Sequence, residues 1–180
     1  NPVRDSTELL RLIDSLHLVG SVTNNGSETM NVAVVAGLYD KDGLVLDAAT
    51  TSLPIYVEPG ATVPFQFAYF SNVNWNSDAA QAVDSYTVQF DPYWTYSTSF
   101  EVVSLETTND DASDDGDGQW TYKGDVENTS GKALSSIYVI VAVTDAADNL
   151  VATEYTSIYP EGDAINAGDT SSYEVTVRLD

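Results

Sequence analysis

Val32-Ala-Val-Val-Ala-Gly-Leu-Tyr-Asp-Lys-Asp-Gly-Leu-Val-Leu46 is the stretch whose reading decides the fold. It holds an apolar, β-branched strand, then a short Asp- and Gly-bearing turn, then the start of a second strand. Ile137-Tyr-Val-Ile-Val-Ala-Val-Thr-Asp-Ala-Ala-Asp-Asn-Leu-Val151 repeats that order in degenerate form. A plan used twice in 180 residues predicts two similar units, each long enough to build its own core.

Working outward, the strand before each copy keeps the same phase. Leu16, Leu18, Gly20 and Val22 alternate with His17, Val19, Ser21 and Thr23, and Trp120, Tyr122, Gly124 and Val126 repeat the first set. His17 therefore reads as a solvated strand histidine. Earlier still, Asp5-Ser-Thr-Glu8 has the spacing of a capping box, yet strand is the better reading for Leu9 to Ile13, with Phe100 to Leu105 as its counterpart.

Each phased strand then enters an Asn- and Gly-rich turn, Asn24 to Glu28 and Asn128 to Lys132. N-x-Ser triplets at Asn25 and Asn128 are glycan acceptors by pattern, but turn chemistry accounts for both. The near-continuous apolar runs Asn31 to Tyr39 and Ser136 to Thr144 predict central strands covered on both faces. Asp40 to Gly43 and Asp145 to Asn149 read as hairpin loops, the second one residue longer.

The first unit continues through Leu44 to Ala48, Thr51 to Tyr56, the Pro59-Gly60 turn, the alternating Val63, Phe65, Phe67 and Tyr69, a polar insertion Ser71 to Gln81 and a closing strand Ser85 to Phe90. The second repeats Ala167-Gly168 and the alternating Tyr173, Val175 and Val177, and shows no closing strand. Asp91 to Tyr96 reads as linker and Asn109 to Gly118 as an acidic loop. The prediction is an all-β chain of two tandem immunoglobulin-like β-sandwich domains, residues 1–96 and 97–180, the second lacking an obvious final strand.

The set Gly20-x-Val22-x-Asn24, Ala36-Gly37-Leu38-Tyr39-Asp40, Asp42-Gly43, Pro59-Gly60 and Phe65 resembles the FxLYD domain, a family of small immunoglobulin-like sandwiches found mostly in exported or surface proteins of prokaryotes. Ala36 stands where the family name has Phe. The second copy keeps Asp145 of the signature, with Gly124-x-Val126-x-Asn128 and Ala167-Gly168. The resemblance implies an immunoglobulin-like fold, an extracytoplasmic location and no general catalytic activity. On that reading Leu38 points into the core, and Tyr39 covers the strand with its hydroxyl near the rim.

Composition narrows the function classes. There are 28 Asp and Glu against 6 Lys and Arg, a net charge of −22, which disfavours nucleic acid and anionic lipid as partners. A carboxylate coat with so little lysine also suits a halophilic setting, where counter-ions screen self-repulsion. No cysteine and a single histidine leave thiolate nucleophiles, zinc, haem and iron-sulfur sites without ligands. His17 has no Gly-x-Ser-x-Gly context, and no acid has the apolar setting of a raised-pKa proton donor. No catalytic residue is assigned. Asn1 follows no basic-then-apolar leader, so the sequence reads as a mature or trimmed form, with membrane attachment only through an anchor outside it.

Two readings of function follow. The first is a non-catalytic extracytoplasmic structural, adhesion or protein-interaction module, with self-association or a partner strand at the C-terminal edge strand, Ser171 to Leu179. The second is a surface protein binding carbohydrate through Trp75 or calcium through Asp111, Asp114, Asp115 and Asp117, the hard oxygen ligands of the acidic loop. Tyr93, Trp94 and Tyr96 in the linker read either as stacking faces for sugar rings or a protein partner or as packing between the two units, the reading favoured for Trp94.

Overall fold

The computed structural model describes residues 3–11, 16–68, 70–71, 73, 78–93 and 103–179. Eleven strands account for most of these: β1 Val3–Arg11, β2 Leu16–Asn24, β3 Asn31–Tyr39, β4 Val45–Ser52, β5 Thr62–Phe67, β6 Ser85–Tyr93, β7 Thr107–Asp114, β8 Gln119–Glu127, β9 Ile137–Thr144, β10 Leu150–Ile158 and β11 Thr170–Arg178. The chain is all-β, and no described helix is long and apolar enough to cross a membrane.

The strands form sheets in the orders β1-β2-β5, β4-β3-β6, β11-β8-β7 and β10-β9, every pair antiparallel. No described pairing joins β1–β6 to β7–β11. Period-two alternation explains the first core: Val32, Val34, Ala36 and Leu38 of β3 are fully buried, facing Leu18 and Val22 of β2 and Phe65 and Phe67 of β5. The second half has two smaller clusters, one around Val126, Ile137, Val139 and Ile165 and one around Ala152, Val175 and Val177.

The two halves share one corner in detail. Asn24 is wholly buried; its Nδ2 donates to Glu28 O at 2.8 Å and Val57 O at 2.9 Å, and its Oδ1 accepts from Gly26 N at 2.8 Å. Asn128, also wholly buried, donates to Lys132 O at 2.7 Å and Ile165 O at 2.9 Å and accepts from Ser130 N at 3.2 Å. Isolated bridges Met30 to Val57 and Leu134 to Ile165 close the same corner in both. A side chain so engaged is no glycan acceptor, so of the two triplets only Asn25 is exposed.

Several expectations need correction. Leu44 to Ala48 and Thr51 to Tyr56 are not separate strands; β4 runs unbroken from Val45 to Ser52. The polar insertion contains a short helix, Asp78–Ala82, and is tied to the core by buried Phe70, Val73 and Val83 and by Asp47 Oδ2, which accepts from Val73 N at 3.0 Å. β6 extends to Tyr93, so Asp91 and Pro92 belong to a strand; proline is tolerated because β6 is an edge. Residues 94–102, and with them Trp94, Tyr96 and the 96/97 boundary, lie outside the described residues.

The acidic stretch is a loop only over residues 115–118. Its first part belongs to β7, Thr107–Asp114, which pairs with β8 and carries its acids on an exposed edge where water solvates them. β9 is less covered than a central strand: Ile137 and Val139 are buried, but Tyr138, Ala142 and Thr144 are exposed. The two β-hairpin turns have equal length. Asp40 Oδ1 accepts from Asp42 N and Leu44 N, as Asp145 Oδ1 does from Ala147 N and Asn149 N. Gly43 takes φ 79° in one, and Asp148 takes φ 63° in the other.

Leu38 is fully buried, as its place on β3 requires. Tyr39 is half-buried, its ring lying over Gly37, where an added Cβ would come 3.0 Å from its hydroxyl, and that hydroxyl meets Thr87 Oγ1 at 3.2 Å.

Candidate functional site

Two surfaces carry chemistry-bearing side chains: the acidic β7-β8-β11 face and a tyrosine surface on β9-β10. On the first, β7 bulges between Thr108 and Asp111, so that Asn109 (φ 55°) and Asp110 stand opposite Gly124 of β8. Asp110 accepts hydrogen bonds from Tyr173 OH at 2.7 Å and Thr107 Oγ1 at 2.7 Å. An added Cβ at Gly124 would lie 2.8 Å from Tyr173 Cε1 and OH, so glycine here makes room for the Tyr173-Asp110 contact. Beside it, Asp125 accepts from Ser172 Oγ at 2.7 Å and Asn109 Nδ2 at 2.9 Å, and these bonds hold its carboxyl below the usual carboxylate range. Burial, and then the Asp110 contact, push the Tyr173 phenol up.

The four acids proposed as calcium ligands are spread along this hairpin. Asp111 sits on β7 opposite Lys123, and Asp114 ends the strand opposite Trp120. Asp114 Oδ1 accepts from Gly116 N at 2.8 Å, while Asp115 Oδ1 accepts from Asp117 N at 2.9 Å and Gln119 N at 3.3 Å. Asp115 thus locks the β7-β8 turn as Asp40 and Asp145 lock theirs, with Gly118 at φ 73° in the left-handed position. Among the described residues no three His, Asp or Glu side chains come together as a metal-holding group. Trp75, the other proposed binding residue, lies outside the described residues.

The second surface joins the two halves. His17 is not a solvated strand residue: it is only 5% exposed, and Val19 beside it is buried too. The face of β2-β5 that alternation assigns to water is covered, because β10 lies against it. Gln66 of β5 is the hinge of this contact. Its Oε1 accepts from Thr153 N at 2.8 Å, which leaves Nε2 to donate to His17 Nδ1 at 3.1 Å, so the imidazole carries its proton on Nε2. Thr153 is itself buried, its hydroxyl donating to Val141 O at 2.9 Å, and Ile140 packs against the first core.

Next to this junction the outer face of β9-β10 shows tyrosines. Tyr138, Tyr155 and Tyr159 are 38%, 49% and 65% exposed, and the Tyr138 and Tyr155 rings stand 6.4 Å apart at a 44° tilt. A hydrogen bond shared with Tyr159, and then partial burial, hold the Tyr138 phenol above its ordinary value. Sequence reasoning missed both features. The period-two pattern of Tyr138 and Ile140 on β9 was visible, but which sheet face the other half would cover was not.

No family model matches the chain, and no curated protein matches it. Among solved structures, the crystal structure of red sea bream transglutaminase aligns at 11% identity and TM-score 0.28, over 98% of this chain and 27% of that chain. The chain thus spans about a quarter of that protein's length, and a likeness at this score carries no functional inference.

Proposed function

We propose that this chain is a non-catalytic interaction module of the cell surface or extracellular space. It consists of two tandem immunoglobulin-like, FxLYD-like sandwiches, docked through Gln66 and Thr153, that present the Tyr138-Tyr155-Tyr159 surface to a protein partner. The tyrosine surface is the observation that carries the reading: two exposed rings on a sheet face and a third just past the end of β10 offer large, rigid contact area at small entropic cost. The shared buried asparagine corner favours two copies of one unit, and the −22 charge suits an exposed, salt-bathed setting.

Carbohydrate binding is the second reading, because the same rings offer stacking faces to sugars. Capture of a surface protein by the intact chain, lost in Tyr155→Ala/Tyr159→Ala, with silence on a glycan array and in calcium calorimetry, is the result expected of the interaction module. Saccharide binding abolished by that variant would replace it with the second reading. Calcium binding that survives the variant would move the function to the acidic hairpin.

A further inference from the structure

Among the described residues the second half has no counterpart of β6, and the place such a strand would take is beside β9, not beside β11. In the first half β3 lies between β4 and β6, whereas its counterpart β9 pairs with β10 alone among the described residues. The open side of β11 has an equivalent in the first half, since β5 is also an edge of its sheet. Core coverage shows the same deficit. Val32, Val34, Ala36 and Leu38 of β3 are fully buried, while Ile137 and Val139 keep 7% and 8% exposure and Val141 and Val143 are half-exposed. In the first half Tyr86, Val88 and Phe90 of β6 pack against the core on that flank.

The composition of β9 is that of an interior strand. Of the eleven strands only β2, β3 and β9 are free of both charge and proline, and β2 and β3 are paired on both sides. The other edges carry the usual protection: acids on β7, Pro64 on β5, Asp91 and Pro92 on β6, and Glu174 with Arg178 on β11. β9 presents roughly four N–H and four C=O groups along an uncharged, β-branched edge.

We propose that this edge pairs antiparallel with β9 of a second copy of the chain, giving a continuous sheet β10-β9-β9-β10. Centred on Ile140, the register sets Val139 opposite Val141 and Ile137 opposite Val143, so core-facing aliphatics meet core-facing aliphatics and do what β6 does in the first half. Charge allows it, because no side chain of the seam carries a charge at neutral pH and Asp145 comes opposite Ser135, not another acid. The net charge of −22 on each copy opposes approach, so pairing should strengthen with salt. This inference does not depend on the tyrosine surface.

Sedimentation of the intact chain in about 0.1 M and about 2 M sodium chloride tests it, as screening over that range removes most of the repulsion. A monomer in the first and a dimer in the second is expected, with self-association at least tenfold weaker in Ala142→Lys/Thr144→Lys. Both sites are exposed, so the variant should keep its circular dichroism, and it lowers the net negative charge, so a purely electrostatic dimer would strengthen instead. Tyr138→Cys/Ala142→Cys adds thiols to a chain with none; at four residues' separation they lie roughly 13 Å apart along one strand, beyond disulfide reach, but opposite each other across the seam. A monomer at ~1 mM in high salt, a dimer unaffected by the lysines, or no oxidised cross-link would each overturn the proposal.

Discussion

Replacing Asn24 by alanine removes three hydrogen bonds from one fully buried side chain: those to Glu28 O and Val57 O and that from Gly26 N. At about 1 kcal/mol net for each bond, and somewhat more where a partner is left dry, the loss should be about 2–4 kcal/mol. Val57 O keeps its bond from Met30 N at 3.1 Å, which holds the figure toward the lower end. In the second half Asn128→Ala should cost a similar amount, because its bonds have the same pattern and Ser130 Oγ also loses its 2.6 Å bond to Asn128 Oδ1, keeping only the longer contacts with Lys132 O and N. Asn24→Asp discriminates hydrogen bonding from packing. It sets an oxygen against the two carbonyls that the amide satisfies, so at neutral pH it should be worse than alanine, and it should improve as acid protonates it.

Differential scanning calorimetry is the assay, and it also reports on the two-unit organisation. If the chain melts as one unit, a ~3 kcal/mol loss lowers Tm by about 6–12 °C; if each half melts alone, the affected transition falls by about 12–24 °C and the other stays in place. Losses below ~0.5 kcal/mol in both variants would refute the reasoning, since the corner would then owe its stability to backbone pairing alone.

Asp148→Gly should raise stability by ~0.5 kcal/mol in chemical denaturation, because Asp148 holds φ 63° where Gly43 serves in the first half, and Gly43→Ala should lower it by ~1 kcal/mol. Gly124→Ala should cost about 1–3 kcal/mol through overlap with Tyr173 and Asp110, and less in a Tyr173→Ala background, as a double-mutant cycle will show. Bonds from Asn149 and Ala147 hold the Asp145 carboxyl below its ordinary value. A lowered folded-state pKa gives stability that is fully present above about pH 4 and lost as pH falls through the folded value, so the Tm gap between wild type and Asp145→Ala should be constant above that pH and close on further acidification. Melting temperature should climb between ~0.1 M and molar chloride beyond the generic salt effect; a flat curve would remove the halophilic reading.

β5 is legible because one face is wet and the other dry: Val63, Phe65 and Phe67 follow their alternation residue by residue, since each side chain's face is fixed by the pleat. β3, whose apolar run reads as covered on both faces, instead buries only Val32, Val34, Ala36 and Leu38 and leaves the residues between them half-buried. The β7 strand was not legible because its signal is absent: eight exposed residues, three of them Asp, have the composition of a loop, and only pairing with β8 makes them a strand. His17 was misread for a related reason. Alternation places it opposite the core, but burial there is decided by β10, more than 130 residues further along, through a bond from Thr153 to Gln66 that no local pattern records.

The acids show why charge counts mislead about sites in such a chain. A cluster such as Asp114-Asp115-Gly116-Asp117-Gly118 looks like oxygen ligands waiting for a cation, yet its neighbours elsewhere explain it better. Asp40, Asp115 and Asp145 occupy one structural position in three hairpins, each accepting from the amides two and four residues on. That geometry needs an acceptor and a left-handed residue one place before the last amide, filled by Gly43, Gly118 and Asp148. Asp115 is therefore engaged within its own turn, and a cation would have to displace the turn's hydrogen bonds to use that oxygen. Asp115→Asn, which keeps an acceptor but lowers its charge, should leave the β7-β8 turn nearly intact, whereas Asp115→Ala should destabilise it by about 1 kcal/mol. Amide exchange of Asp117 and Gln119 would report the difference, and equal protection in both variants would mean that the turn does not depend on the carboxylate.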